Sequence, residues 1–337
     1  MNLDLIRDVL IQIGRRVRER VYHSLTHQSL EERTSVHAET EEDTIYQIDR
    51  DVESIILPEL NRHAAALNGV ILIAEGIGDE DAVALPHGCD PRDAALRILM
   101  DPIDGTRGIM YDKRSAFFLA GAAPNRDEAA SLRDVVASVM VELPTSRSYL
   151  SDEIWALRGQ GAHRSTYNMK SGEIEARKIA PSQSKTLLGG FGQISRFFPP
   201  AKEILARIED QLIERLFPDA PAGRAILFED QYISTGGQLY EMLVGHDRFV
   251  ADLRASLYRR IEKEGRRIGL TCHPYDVAAH NIAQEAGVIV TDARGADLDP
   301  PLTTTGAVDW IAYANPSIRD EIQPVLMDLL REQGLIE

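Results

Sequence analysis

The chain has 337 residues, 44% of them apolar and 27% charged, the balance of a folded protein with a sizeable core and not of a disordered or collagen-like one. No stretch approaches the ~18 uncharged apolar residues of a membrane helix, and the N-terminus lacks the basic-then-apolar order of a signal peptide. The 37 basic residues stand against 53 acidic ones, a formal charge of −16, which disfavours a nucleic-acid polymer or a membrane as partner. An anionic small molecule would therefore need a local cation, either a metal ion or an Arg cluster. The two cysteines, Cys89 and Cys272, have no CxxC spacing and point to a reducing, cytoplasmic setting.

In chain order, Leu5, Ile6, Val9, Leu10, Ile13, Val17 and Val21 fall on one face at helical spacing, opposite Arg15, Arg16, Arg18 and Arg20. Residues 31–45 read as a solvated acidic loop, and a second helix starts near Asp49 and runs through Val52, Ile55 and Ile56. Val70 to Ala74 and Ala95 to Met100 are apolar runs that read as buried strands ending directly in acids. Ser115 to Ala123, Val135 to Leu143 and Ser148 to Leu157 continue a strand-rich stretch, with Asp152 and Glu153 suggesting an edge or a bend. Loops 159–183 and 218–223 and the helix around 199–217 are expected to shape a substrate mouth or an oligomer contact.

The second half alternates. Strands are expected at Lys185 to Gly189, Ala225 to Phe228, Arg248 to Ala251, Val288 to Thr291 and Trp310 to Ala314. Helices are expected at Ala201 to Leu216, Gly237 to Val244 and Asp276 to Ala286, with a closing helix after Asn315-Pro316. Strands mixed with helices, several of them consecutive, favour helices layered on sheets in an α/β or α+β plan. Residues 1–337 read as one unit in two halves, 1–180 and 181–337.

There is no GxGxxG, Walker GK[ST], HExxH or GxSxG pattern, so dehydrogenase, P-loop, zincin and α/β-hydrolase chemistries lose their support. The informative segment is Asp101-Pro102-Ile103-Asp104-Gly105-Thr106. Two carboxylates three residues apart at the mouth of a strand converge if the backbone turns tightly, which Pro102 stiffens and Gly105 permits. With the Ile103 carbonyl they form a hard oxygen set suited to Mg²⁺. The helical turn opening at Gly105, Thr106 and Arg107 would receive a phosphate. Glu75, at the end of the Val70 run, and Asp276, in His273-Pro274-Tyr275-Asp276-Val277-Ala278-Ala279, would complete a four-carboxylate cluster. Such a cluster needs divalent cations to relieve its repulsion. Cys272, His273 and His280 beside it read as packing residues.

The hexamer, the upstream Glu75, and Tyr275 to Ala279 followed by Glu285-Ala286-Gly287-Val288 resemble the inositol monophosphatase family. This is the lithium-sensitive, magnesium-dependent superfamily that includes fructose bisphosphatase and phosphoadenosine phosphatase relatives. The resemblance implies a layered αβαβα sugar-phosphatase fold of α+β class, two or three Mg²⁺ ions and, commonly, a homodimer. It implies that Glu75, Asp101 and the Ile103 carbonyl hold one metal, and that Asp101, Asp104 and Asp276 hold a second. The Gly105 and Thr106 amides would bind phosphate, and the Thr106 hydroxyl, paired with Asp49, would orient the attacking water. Gly236-Gly237-Gln238 resembles the family's substrate-side loop, and Arg107 lies on the substrate side. The sequence departs from the family where Gly76 replaces a second acid after Glu75, where Tyr275 replaces a Trp, and where Arg266 and Arg267 stand in place of an acid. The expected activity is Mg²⁺-dependent hydrolysis of a small inositol, sugar or nucleotide phosphate; the alternative is a phosphometabolite-binding or regulatory protein with lost activity.

Overall fold

In the computed structural model, residues 1–39, 44–77, 82–127 and 129–337 are described, the side chains of 36–39, 44–47 and 49–51 excepted. The N-terminal periodicity forms α1 (Leu3–His27), capped by the Asn2 side chain, which accepts the Leu5 N–H at 3.1 Å. After α2 (Leu30–Arg33), the strands β1 (Val36–Glu39) and β2 (Thr44–Tyr46) pair antiparallel. The described residues of 31–45 thus include a helical turn and two paired strands where a plain loop was expected. In α3 (Gln47–Ala64), Val52 and Ile56 are buried in the same cluster as the apolar face of α1.

An eight-stranded sheet follows. Its strands are β3 (Val70–Ala74), β4 (Val83–Leu85), β5 (Leu96–Asp104), β6 (Ala116–Pro124), β7 (Ala137–Leu143), β8 (Leu150–Leu157), β9 (Ala162–Asn168) and β10 (Ile174–Arg177), in the order β10-β9-β8-β7-β6-β5-β3-β4. The short α4 (Thr106–Met110) leaves the end of β5. A four-stranded sheet is made by β11 (Phe191–Ile194), β12 (Asp247–Asp252), β13 (Ile289–Thr291) and β14 (Trp310–Tyr313), in the order β11-β12-β14-β13. The remaining helices are α5 (Lys202–Leu216), α6 (Thr235–Leu243), α7 (Arg254–Lys263), α8 (His280–Glu285) and α9 (Pro316–Glu332).

Side-chain alternation sorts these elements into layers. Val70, Leu72 and Ala74 of β3 and Ala116, Phe118 and Ala120 of β6 join α1 and α3 in one core. Ile71 and Ile73, with Phe117 and Leu119, join Leu239 of α6, Ile282 of α8 and Val250 and Ala312 of the smaller sheet in a second core. The far face of the smaller sheet packs Phe249, Ile311 and Tyr313 on α5, α7 and α9 in a third. The order is α, β, α, β, α, as the resemblance implied.

Several expectations are corrected. Asp152 and Glu153 mark neither an edge nor a bend, because β8 lies between β7 and β9. Both acids are buried and compensated: Glu153 receives Arg15 and the fully buried Arg18, and Asp152 receives Arg164. Within 159–183 the chain forms the β9–β10 hairpin. The strand expected at Lys185 to Gly189 begins instead at Phe191, and Ala225 to Phe228 contributes only a bridge from Phe228 to Phe191. The helix α7 was not anticipated, since its many charges mask the face that carries Leu257, Tyr258 and Ile261 inward. Asp276 stands in a single 3-10 turn, Pro274–Val277, and α8 begins only at His280.

That turn sits directly on the large sheet. A Cβ on Gly121 of β6 would lie 2.4 Å from the Ala278 carbonyl oxygen, so only glycine permits the approach. Gly121→Ala is expected to lower stability by roughly 1–3 kcal/mol, read as a reduced urea midpoint; an unchanged midpoint would show that the turn does not depend on this contact.

Candidate active site

Strand register brings the first two acids together. β3 and β5 are parallel and pair Ala74 with Met100, so the next residues, Glu75 just past β3 and Asp101 still within β5, stand side by side. The Glu75 N–H still bonds the Met100 carbonyl at 3.3 Å. In a regular strand, side chains three apart face opposite ways. Between Asp101 and Asp104, however, the pairing with β6 slips, with Asp101 opposite Leu119 and Asp104 opposite Phe117. Three steps on β5 thus span two on β6, a bulge that returns both carboxylates to one side. Pro102, which has no N–H to lose, sits within it.

The turn then closes on Gly105, whose φ is +96° and whose added Cβ would meet Ser234 Cβ at 3.0 Å. Both facts demand glycine. The Thr106 hydroxyl donates to the Ile103 carbonyl at 2.8 Å. Asp104 caps α6: it accepts from the Ser234 hydroxyl at 2.7 Å and from the Thr235 and Gly236 N–H groups at 3.2 and 2.5 Å. A carboxylate at a helix N-terminus is favourably placed. Asp276 accepts the His273 N–H at 2.5 Å, and the Tyr275 hydroxyl donates to Glu75 at 3.3 Å.

One carboxylate oxygen from each of Asp101, Asp104 and Asp276 lies within 4.8 Å of the others. Glu75 lines the same pocket, of about 100 Å³, together with Gly105, Thr106 and Arg107. Burial raises the Asp101 carboxyl well above the usual carboxylate range, and Glu75, Asp104 and Asp276 push it further. Burial raises Asp104 to about 6 against the hydrogen bonds from Ser234, Gly236 and Thr235. Burial, then Asp104, raises Asp276 to about 8. Clustered hard oxygens that resist ionising together are the donor set of a divalent cation, and these residues fit one. Cys272 is fully buried and burial pushes its thiol up, so it behaves as a packing residue.

The remaining sequence candidates fall as follows. The Asp49 side chain, with Asp79 and Glu80, lies outside the described residues. Gly236, Gly237 and Gln238 are buried in the first turn of α6: Gly236 backs Asp104, Gly237 packs on Tyr232, and the Gln238 amide bonds Ser195 at 2.9 Å. They shape the pocket from behind, and Ser234 and Thr235 line it. Arg266 reaches Glu203 on the surface at 3.5 Å. Arg107 lines the pocket, as do Arg254, at the start of α7, and Phe197, Phe198, Ile233 and Leu270. None of the last five was singled out from the sequence. Asp252 and Arg254, opposite charges bracketing a strand end, were the available signal.

No curated protein matches the chain. Solved structures of similar fold include an IMPase from Thermotoga maritima, at 18% identity and TM-score 0.61, covering 97% of this chain and 98% of that one. A fructose-1,6-bisphosphatase from Leishmania major gives 13% identity and TM-score 0.68, covering 96% and 94%. SuhB from Mycobacterium tuberculosis gives 16% and 0.60, covering 99% of each. The model of the inositol monophosphatase family matches residues 2–326, and the chain belongs to that family.

Proposed function

We propose that this chain is a Mg²⁺-dependent phosphatase of small soluble phosphomonoesters. The observation that carries the reading is the meeting of Asp101, Asp104 and Asp276 within 4.8 Å, at a pocket that also holds Glu75 and the Gly105–Thr106 turn. Glu75, Asp101 and the Ile103 carbonyl would hold one Mg²⁺, and Asp101, Asp104 and Asp276 a second. Bound there, the ions supply charge stabilisation to a phosphoryl group and acidify water. The chain's own residues do the positioning. The Gly105 and Thr106 N–H groups face an incoming phosphate oxygen. The Thr106 hydroxyl, anchored on Ile103, keeps a lone pair to accept from a water and with Asp49 would orient it, while the Glu75 carboxylate would take its proton. Arg107 stands at the mouth. Membership of the family supports a homodimer, and the free cysteines Cys89 and Cys272 support a reducing, cytoplasmic setting. A phosphometabolite-binding protein without turnover is the second reading, favoured by one observation: Gly76, at φ +65°, follows Glu75 where a second acid would stand.

Hydrolysis separates the two. With Mg²⁺, the protein is expected to release phosphate from members of a broad phosphomonoester panel and to be inhibited by Li⁺. Asp104→Asn should reduce turnover more than about 100-fold, beyond the range of an outer-sphere partner, with an unchanged circular dichroism spectrum. Release from no panel member would end the enzyme reading.

Metal dependence also has a stability signature. Because burial raises Asp104 and Asp276 in the fold, the metal-free native state binds more protons than the unfolded chain between their usual range and about pH 8. Its stability therefore falls as pH rises. Mg²⁺ replaces those protons, so its stabilisation grows with pH. Thermal melting should show a larger Mg²⁺-induced rise at about pH 8 than at about pH 5; equal rises would contradict a site built from these carboxylates.

A further inference from the structure

The pocket lining mixes two unlike sets of residues: the carboxylates with the Gly105 turn, and the apolar Phe197, Phe198, Ile233 and Leu270 with the buried charge of Arg254. Arg254 is 4% exposed and held with little freedom. Its Nε donates to both oxygens of the fully buried Asp252, at 2.8 and 3.1 Å, and its Nη2 to Asp252 Oδ2 at 2.5 Å. Its Nη1 donates to the Leu270 carbonyl at 3.1 Å. The Phe197 and Phe198 rings lie 5.0 and 5.3 Å from the guanidinium carbon. Aromatic rings around the guanidinium and a carboxylate on one edge leave it to donate in its own plane. A guanidinium has five N–H groups, and three are occupied, so one on each terminal nitrogen remains for the pocket.

This second set suits a particular leaving group. A bare polyol would press its hydroxyls against phenyl and aliphatic surface and lose their hydration without partners. An organic part with an apolar face and an acidic substituent would cover the rings and place its charge on a rigid fork, the geometry that matches carboxylate and phosphate.

We propose that Arg254 is a specificity-determining residue, and that the preferred substrate is a phosphomonoester whose organic part carries a second anionic group, a carboxylate or another phosphate. The inference rests on the phosphatase reading for the orientation of the ester, with the scissile phosphate at the carboxylates.

The test compares matched pairs with Mg²⁺ present: 3-phosphoglycerate against glycerol 3-phosphate, and fructose 1,6-bisphosphate against fructose 1-phosphate. Hydrolysis gives KM and kcat separately, and calorimetry gives binding. The first pair reports a carboxylate, the second a phosphate. Wild type should bind the more acidic member of at least one pair about 10- to 100-fold more tightly, with the difference in KM. The double variant Asp252→Asn/Arg254→Gln, which removes both buried charges together, should bring that ratio near one. Arg254→Lys, which keeps the charge and loses the fork, should reduce it and serves if the double variant does not fold. No preference in either pair, or a preference that survives these substitutions, overturns the proposal. Preference in binding without hydrolysis would uphold Arg254 and refute the phosphatase; hydrolysis of both members alike would do the reverse.

Discussion

Four carboxylates share one buried pocket in this chain, and their mutual repulsion is the constraint around which the surrounding structure is arranged. Burial and neighbouring charge both resist ionisation of Asp101, yet the fold brings the acids together from three separate stretches. It does so with ordinary devices. Parallel register sets Glu75 beside Asp101, a bulge turns Asp104 to the same side, and the bare Cα of Gly121 lets the Asp276 turn rest on the sheet. Partial relief comes from the start of α6, whose N–H groups and Ser234 hydroxyl bond Asp104. Arg254 adds its charge beside Asp104 and Asp276, and the proposed cations would supply the rest.

Much of this was legible in the letters because it is local. The apolar runs before Glu75 and Asp101 gave the strands, the hexamer gave the turn, and the N-terminal periodicity gave α1. What was not legible is set by tertiary partners. Asp152 and Glu153 look like surface acids until Arg15, Arg18 and Arg164 arrive from distant elements. Glycines 236 and 237 resemble a substrate-side turn in the letters, but in the fold their small size serves close packing against Leu119 and Tyr232. Arg254 is one cation in a charged stretch by sequence, and its burial against Asp252 separates it from Arg266, which lies on the surface.

The pocket combines unlike residues. Asp101, Asp104 and Asp276 line it together with an apolar set and Arg254, braced on Asp252. A shared fold with an IMPase and a fructose-1,6-bisphosphatase does not by itself assign these roles. Under the proposals above, the chemistry would reside on the ends of β3 and β5 with the Asp276 turn, and the choice of substrate on the start of α7 and the Phe197–Phe198 segment.

The central claim is that these acids form a cation site. Diffraction from crystals soaked in Mn²⁺, read at the manganese edge, tests it most directly. The account predicts anomalous density bounded by Asp101, Asp104 and Asp276. Density elsewhere only, or none at a saturating concentration, would contradict it.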